Sequence, residues 1–103
     1  MNNHRRKEIM KLEHHLELLS MTFSQNDLRT GIDKLEYIKS EEEDAFYNMP
    51  ENLQSSSRGM ESEEAIDNLE EALGYLEEIL DLEDDDEIDE NILMAMSCLE
   101  DIC

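Results

Sequence analysis

"SEEAIDNLEEALGYLEEIL", Ser62 to Leu80, is the stretch on which the reading of the fold turns. Ile66, Leu69, Leu73, Leu76 and Leu80 recur at alternating intervals of three and four residues, so a helical backbone gathers them on one face, while Glu and Asp dominate the positions between. Ser62 stands where a helix cap is expected, with Glu63 and Glu64 in the first turn, where the helix dipole favours carboxylates. The stretch contains no Lys or Arg.

Similar stripes lie on both sides. Towards the N-terminus, Ile9, Leu12, Leu16 and Leu19, with Phe23 at the end, give one amphipathic helix. Ser24-Gln25-Asn26-Asp27 reads as a break, with Ser24 or Asn26 available to cap a second helix. Leu28, Ile32, Leu35, Ile38, Ala45 or Phe46, and Met49 continue that second stripe. Gly31 within it costs about 1 kcal/mol relative to Ala. Met49-Pro50 ends the helix, because Pro disfavours the helical region for the residue before it, and "ENLQSSSRG" reads as the loop that follows.

Towards the C-terminus, seven of the nine residues of "LEDDDEIDE", Leu82 to Glu90, are acidic. Asp84, Asp85 and Asp86 are poor inside helices and good as caps, so a turn is expected there. Ile88, Ile92, Ala95, Leu99 and Ile102 form a last stripe, widened by Met94, Met96 and Cys98. No segment alternates with period two. The expectation is an all-α fold: a small antiparallel hairpin or bundle of three or four amphipathic helices in one acidic domain spanning 1–103. The helices are expected at about 4–22, 26–49, 62–82 and 87–102, with a loop at 50–61. The predicted core is the union of the stripes, and a homodimer is a second way to bury them.

Charge sets the function classes. The 103 residues carry 29 Asp plus Glu against 8 Lys plus Arg, a net charge of −21, far beyond the magnitude of roughly 2–8 that solubility asks of a small domain. Residues 1–40 hold seven basic and six acidic side chains, whereas residues 61–103 hold eighteen acidic and none basic. Direct binding to nucleic acid or to an anionic membrane is opposed by this balance, and a basic protein partner is favoured. No run approaches the roughly 18 apolar residues of a membrane span, and Met1 to Arg6 leads into charged sequence, so a soluble, unexported, cytoplasmic protein is expected. Cys98 and Cys103, five apart in an expected helix, suit a reducing compartment and do not bridge locally.

Cation and catalytic chemistry find little purchase. Aligned as a calcium loop from Asp81, the sequence offers Asp81, Glu83, Asp85 and Asp89 at ligand positions and Ile88 at the eighth. The sixth position, which needs Gly, is Asp86, and the twelfth, which needs Glu, is Ile92. His14 and His15 are adjacent and diverge on a helix, and the cysteines lack Cys-x-x-Cys spacing. No cofactor or metal is expected. An acid–base pair needs a pocket that separates two pKa values, which narrow helices do not provide, so the chain is read as a non-enzyme.

Two readings of the acid remain. In one, the carboxylates are the solvent face of a structural or adaptor coiled coil, serving solubility and helix pairing. In the other, uniform sign has an electrostatic task, because a bundle selected for stability alone would mix in Glu–Lys pairs. The candidate partner-binding surface is Glu83, Asp84, Asp85, Asp86, Glu87, Asp89 and Glu90, backed by Glu70, Glu71, Glu77 and Glu78. Residues 61–90 hold sixteen acids, which a continuous helix would spread over about 45 Å, roughly one per 3 Å. Duplex DNA carries one charge per about 1.7 Å of axis, so mimicry of a phosphate backbone is within a factor of about two.

The stretch from Ser40 to Leu80 also carries an aromatic-x-N-x-P-E-x-L-Q turn in Phe46, Asn48, Pro50, Glu51, Leu53 and Gln54. Arg58 and Gly59 follow, and then Glu63, Glu64, Ala65, Ile66, Asp67, Asn68, Leu69, Glu70 and Ala72. On these residues the chain resembles a group of small acidic helical proteins carried by phages and prophages of Gram-positive bacteria. The match covers about two fifths of the chain and leaves out the first helix and "DLEDDDEIDE". The resemblance implies a helical hairpin and a mobile-element context in a bacterial host cell; the group has no assigned activity. Together with the charge, it gives the functional expectation of a phage-type inhibitor. Such an inhibitor would occupy the basic channel of a host defence protein, such as a CRISPR effector nuclease or a restriction enzyme.

Overall fold

Asn2 opens the first helix by accepting the Arg5 amide on its Oδ1 at 2.8 Å, which satisfies one of the orphan donors of a helix start. Helix α1 then runs Asn3–Met21 and buries Ile9, Leu12, Leu16 and Leu19, as the spacing predicts. Phe23 does not extend that stripe; it lies past the helix end and is 42% exposed. The computed structural model describes residues 2–102, and the described residues are all-α. Cys103, one of the two cysteines weighed above, lies outside them.

Helix α2, Gln25–Tyr47, starts after Ser24, whose side chain makes no capping bond. The half-buried His15 instead joins the two helices, its Nε2–H donating to the Asp27 carbonyl at 2.8 Å. Gly31 is buried beneath that imidazole, and a Cβ there would lie 3.4 Å from His15 Cδ2.

The expected loop at 50–61 is largely helical. A single turn, α3, Glu51–Gln54, follows Pro50, and the next long helix, α4, Ser57–Ile79, begins well ahead of Ser62. Ser56 is the true cap, accepting the Gly59 amide on its Oγ. Ser62 lies inside α4, fully buried, and has a different task described below. Gln54 closes the corner by donating its Nε2–H to the carbonyls of Phe46 and Met49 at 3.2 and 3.0 Å, which satisfies acceptors at the end of α2. Gly59 is required at this corner, because a Cβ would run into the Gln54 backbone. The Asn-Met-Pro-Glu-Asn-Leu-Gln turn is thus a built corner between α2 and α4.

Helix α5, Asp85–Glu100, follows a short connection that ends at Asp84. The four long helices close a ring in the order α1, α2, α4, α5: α1 packs on α2 and α5, and α4 packs on the same two. Short connections make successive neighbours antiparallel, giving a four-helix bundle 47 × 21 × 18 Å. Helices α1 and α4 stand at opposite corners.

The core differs from expectation on α4. Its buried residues are Ala65, Leu69, Ala72, Leu76 and Ile79; Ile66 and Leu73 are half-buried, and Leu80 is 36% exposed. The larger side chains flank the seam, while alanines occupy its centre, where α2 and α5 both press on α4. Selecting residues by size therefore rotated the predicted face.

A second departure lies at the end of α2. Glu42 falls in register with Leu35, Ile38 and Phe46 and is 1% exposed. Its Oε1 accepts from Arg5 Nε at 3.3 Å, and its Oε2 accepts from Ser62 Oγ at 3.0 Å. One carboxylate thus ties α1, α2 and α4 together.

Two outcomes test these assignments in urea unfolding. Leu76→Ala should cost about 2–5 kcal/mol and Leu80→Ala under about 1 kcal/mol; equal losses would mean that the face is drawn wrongly. Arg5→Met should cost about 1.5–3 kcal/mol, the worth of one hydrogen bond to a buried charged group, and Arg6→Met, on the exposed side of α1, should cost little.

Candidate acidic interaction surface

Helix α4 displays its acids in rows. Relative to the buried seam, Glu63, Glu70 and Glu77 follow one line down the helix and Glu64, Glu71 and Glu78 another, each at seven-residue intervals, with Asp67, Gly74 and Asp81 between them. All eight acids of α4 are exposed. Gly74 lies three or four residues from each of Glu70, Glu71, Glu77 and Glu78, and nothing stands within 4 Å of where its Cβ would be. Four predicted site residues therefore surround a patch of bare helix backbone.

The remaining predicted residues, Glu83, Asp84, Asp85, Asp86, Glu87, Asp89 and Glu90, are also exposed, but they do not continue the same file. The chain reverses between Ile79 and Asp85, so the single 45 Å track assumed from sequence does not exist. Asp85, Asp86 and Asp89 line a groove of about 320 Å³ against Leu19 and Phe23 at the far end of α1. Asp84 accepts the Asp86 amide at 2.8 Å and caps α5, and Asp85, Asp86 and Glu87 occupy its first turn, where the helix dipole favours them. Part of the acidic turn thus has a local structural reason. Glu77 and Glu78 have the opposite placement: they stand in the last turn of α4, where the dipole opposes them.

Folding back brings the two acidic helices side by side. The eighteen acids of residues 61–103 share a body 47 Å long, roughly one per 2.6 Å against one per about 1.7 Å in duplex DNA. Among the described residues, every ion pair lies on α1 or α2: Arg5 with Glu42, Lys11 with Glu8 and Lys39 with Glu43. Among the same residues the acids of α4 and α5 make no ion pair, although Arg6 lines a cleft together with Glu61, Glu64 and Asp101.

Two groups register this field. Burial raises the Glu13 carboxyl above its ordinary range, and Glu100 across the α1–α5 seam adds to the rise. Burial likewise pushes the Cys98 thiol up, helped by Glu71 and Asp101, so it stays protonated and a poor nucleophile. Among the described residues, no three His, Cys, Asp or Glu side chains gather in a group that could hold a metal ion. Among the same residues, no helix is long and apolar enough to cross a membrane. Of the two adjacent histidines, His14 is exposed and His15 serves the helix junction.

Sequence reasoning missed Glu42 as an interior acid, although its place in the Leu35, Ile38, Phe46 stripe was a usable signal. No protein-family model, curated protein or solved structure matches this chain.

Because Glu13 binds its proton more tightly when folded, it makes the fold more stable as pH falls from neutral towards the carboxylate range. That gain is lost as pH rises through its raised pKa. Urea midpoints should therefore increase on mild acidification, and Glu13→Gln should stabilise the protein at neutral pH and flatten the profile. A midpoint that falls on mild acidification would mean that the carboxylates are paired rather than repelling.

Proposed function

We propose that this protein inhibits a nucleic-acid-binding protein by offering its α4–α5 carboxylates to the basic channel that would otherwise hold phosphates. The observation that carries the reading is uniform, unpaired sign: eighteen acids, no Lys or Arg over residues 61–103, and no ion pair to any of them among the described residues. Repulsion of this kind costs stability, and a surface built only for solubility is better served by mixed charge. The phage and prophage resemblance makes a host defence nuclease, such as a CRISPR effector or a restriction enzyme, the proposed target in the bacterial cytoplasm. The action is occupation of a channel and needs no catalytic step.

Within that surface, the ring of Glu70, Glu71, Glu77 and Glu78 around Gly74 is the proposed principal contact. A Lys or Arg side chain of the target can lie against the helix backbone there and meet four carboxylates, because glycine leaves the approach open. The Asp84–Glu87 turn is the second contact.

Single surface pairs contribute about 0–1 kcal/mol each, so the test uses clusters. With the target captured from a bacterial lysate at low salt, the protein should displace labelled nucleic acid from it. Changing Glu70, Glu71, Glu77 and Glu78 together to Gln should weaken displacement by about tenfold or more at low salt, with the difference shrinking as salt is raised. Changing Asp84, Asp85, Asp86 and Glu87 to Asn or Gln should also weaken it, together with a loss of helix stability that the α4 variant does not show. If both variants displace nucleic acid as well as the parent, the acid serves only solubility and helix pairing, and the adaptor reading replaces this one.

A further inference from the structure

Ile66, Leu73 and Leu80, the large α4 side chains that the core leaves out, recur every seven residues on the flank of α4 that faces α2. Two cavities open along that flank, and both are walled by α2 and α4. One, of about 430 Å³, is lined by Phe46 and Ile66 together with Glu43, Glu63 and Glu70. The other, of about 520 Å³, is lined by Ile32 and Leu80 together with Glu36, Glu77 and Glu78. Half-buried Leu73 stands between them at the same register, so the two cavities are the ends of one groove. From Glu63 to Leu80 the groove is about 26 Å long.

The two walls carry acid in step. Glu63, Glu70 and Glu77 recur every seven residues on α4, and Glu36 and Glu43 do the same on α2. Because the helices are antiparallel, Glu43 shares its level of the groove with Glu63 and Glu70, and Glu36 shares its level with Glu77 and Glu78. The repeat along the groove is about 10 Å, two turns of helix. Lys39 shows what suits such a wall. It lies between Glu36 and Glu43 on α2, its side chain is only 22% exposed, and its Nζ is 3.6 Å from Glu43 Oε1. A lysine of the chain's own thus lies with its stem largely covered and its head on a wall carboxylate.

We propose that the α2–α4 groove docks a basic amphipathic helix of the target, about 18 residues long, with its apolar ridge on Ile66, Leu73 and Leu80 and Lys or Arg on both flanks. The inference rests on the reading that the target is a basic protein, and it adds which part of that protein is recognised. Acid on both walls calls for cations on both flanks of the occupant, and the seven-residue repeat matches cations two turns apart on a helix. The apolar floor favours an amphipathic helix over a wholly polar basic loop, because only the former removes that floor from water. Gly74 lines the same groove with open space where a Cβ would be, so a cation of the occupant can reach the α4 backbone there. A second copy of the chain is opposed by the net charge of −21 on each.

Calorimetric titration of the intact protein at moderate salt with two synthetic peptides of that length and of one composition tests this. One peptide carries Leu along a single helical face with Arg on both flanks; the other has the same residues rearranged so that no helical face is apolar. The first should bind about tenfold or more tighter than the second. Glu36→Gln/Glu43→Gln should weaken its binding about tenfold. Glu87→Gln/Glu90→Gln removes the same charge from α5, the helix diagonal to α2, and should weaken it about threefold or less. Lys39→Gln, which frees Glu43 for the peptide, should tighten binding more than Lys34→Gln, an equal change of charge at an exposed α2 position that lines neither cavity. Unchanged circular dichroism confirms that the variants fold. Equal affinity for the two peptides overturns the groove, as does equal weakening by the two double variants; either result leaves the channel-occupying reading standing, because displacement of nucleic acid is measured separately. A parent protein that prefers the amphipathic peptide but displaces no nucleic acid keeps the groove and removes the inhibitory reading.

Discussion

The bundle depends on one buried carboxylate holding three helices in register. Glu42 takes a hydrogen bond from Arg5 on α1 and another from Ser62 on α4, inside a protein that has few cations to spare. Burying a charge is tolerable only when it is paired and its lone pairs are occupied, and removing either condition leaves a large penalty. The contact therefore bears on register: a slip of α4 by one turn would carry Ser62 away from Glu42 and bring Ala65 and Ile66, or Arg58 and Gly59, in its place. It also explains why α4 starts at Ser57, since an N-terminus at Ser62 would leave that hydroxyl capping its own helix rather than bonding Glu42.

Once α1, α2 and α4 are fixed, the ring order places α1, the long helix without net negative charge, at the corner opposite acidic α4. The seven cations of residues 1–40 lie on α1 and α2, and the three described ion pairs stay among them. Helix α4 retains only Arg58, near its start, and α5 has no cation. The molecule is thus polarised across its short axes, and among the described residues the acids of α4 and α5 make no ion pair, with Arg6 of α1 the cation that shares a cleft with Glu61, Glu64 and Asp101. This arrangement is available to a small bundle because each helix contributes one buried stripe and leaves the other faces free to carry any charge that stability permits.

The acids themselves divide by what the backbone does beneath them. At the start of α5, Asp84 caps and Asp85, Asp86 and Glu87 meet the positive end of the helix dipole, so these residues support the fold as well as the surface. At the end of α4, Glu77 and Glu78 meet the negative end, and Gly74 beside them lowers helix propensity at an open position. Local energetics account for the first group and oppose the second, so Glu77 and Glu78 have no local structural reason for their place.

The sequence by itself determined the all-α class, the buried stripes of α1, α2 and α5, the turn at Asp84 and the concentration of acid after residue 60. Each of these follows from hydrophobic period, cap chemistry or formal charge, which are local properties. Only the tertiary structure decided that α3 and the first turn of α4 fill the expected loop, because Gln54, Ser56 and Gly59 take their meaning from contacts around a corner. It also decided that Ala65, Ala72 and Ile79 replace Ile66, Leu73 and Leu80 in the core. Period fixes a helical face to within about one residue's rotation, and the neighbours that press on that face select the rest. The division of the acids has the same origin: sequence counts charges along a chain, but the reversal before α5 decides which of them share a surface.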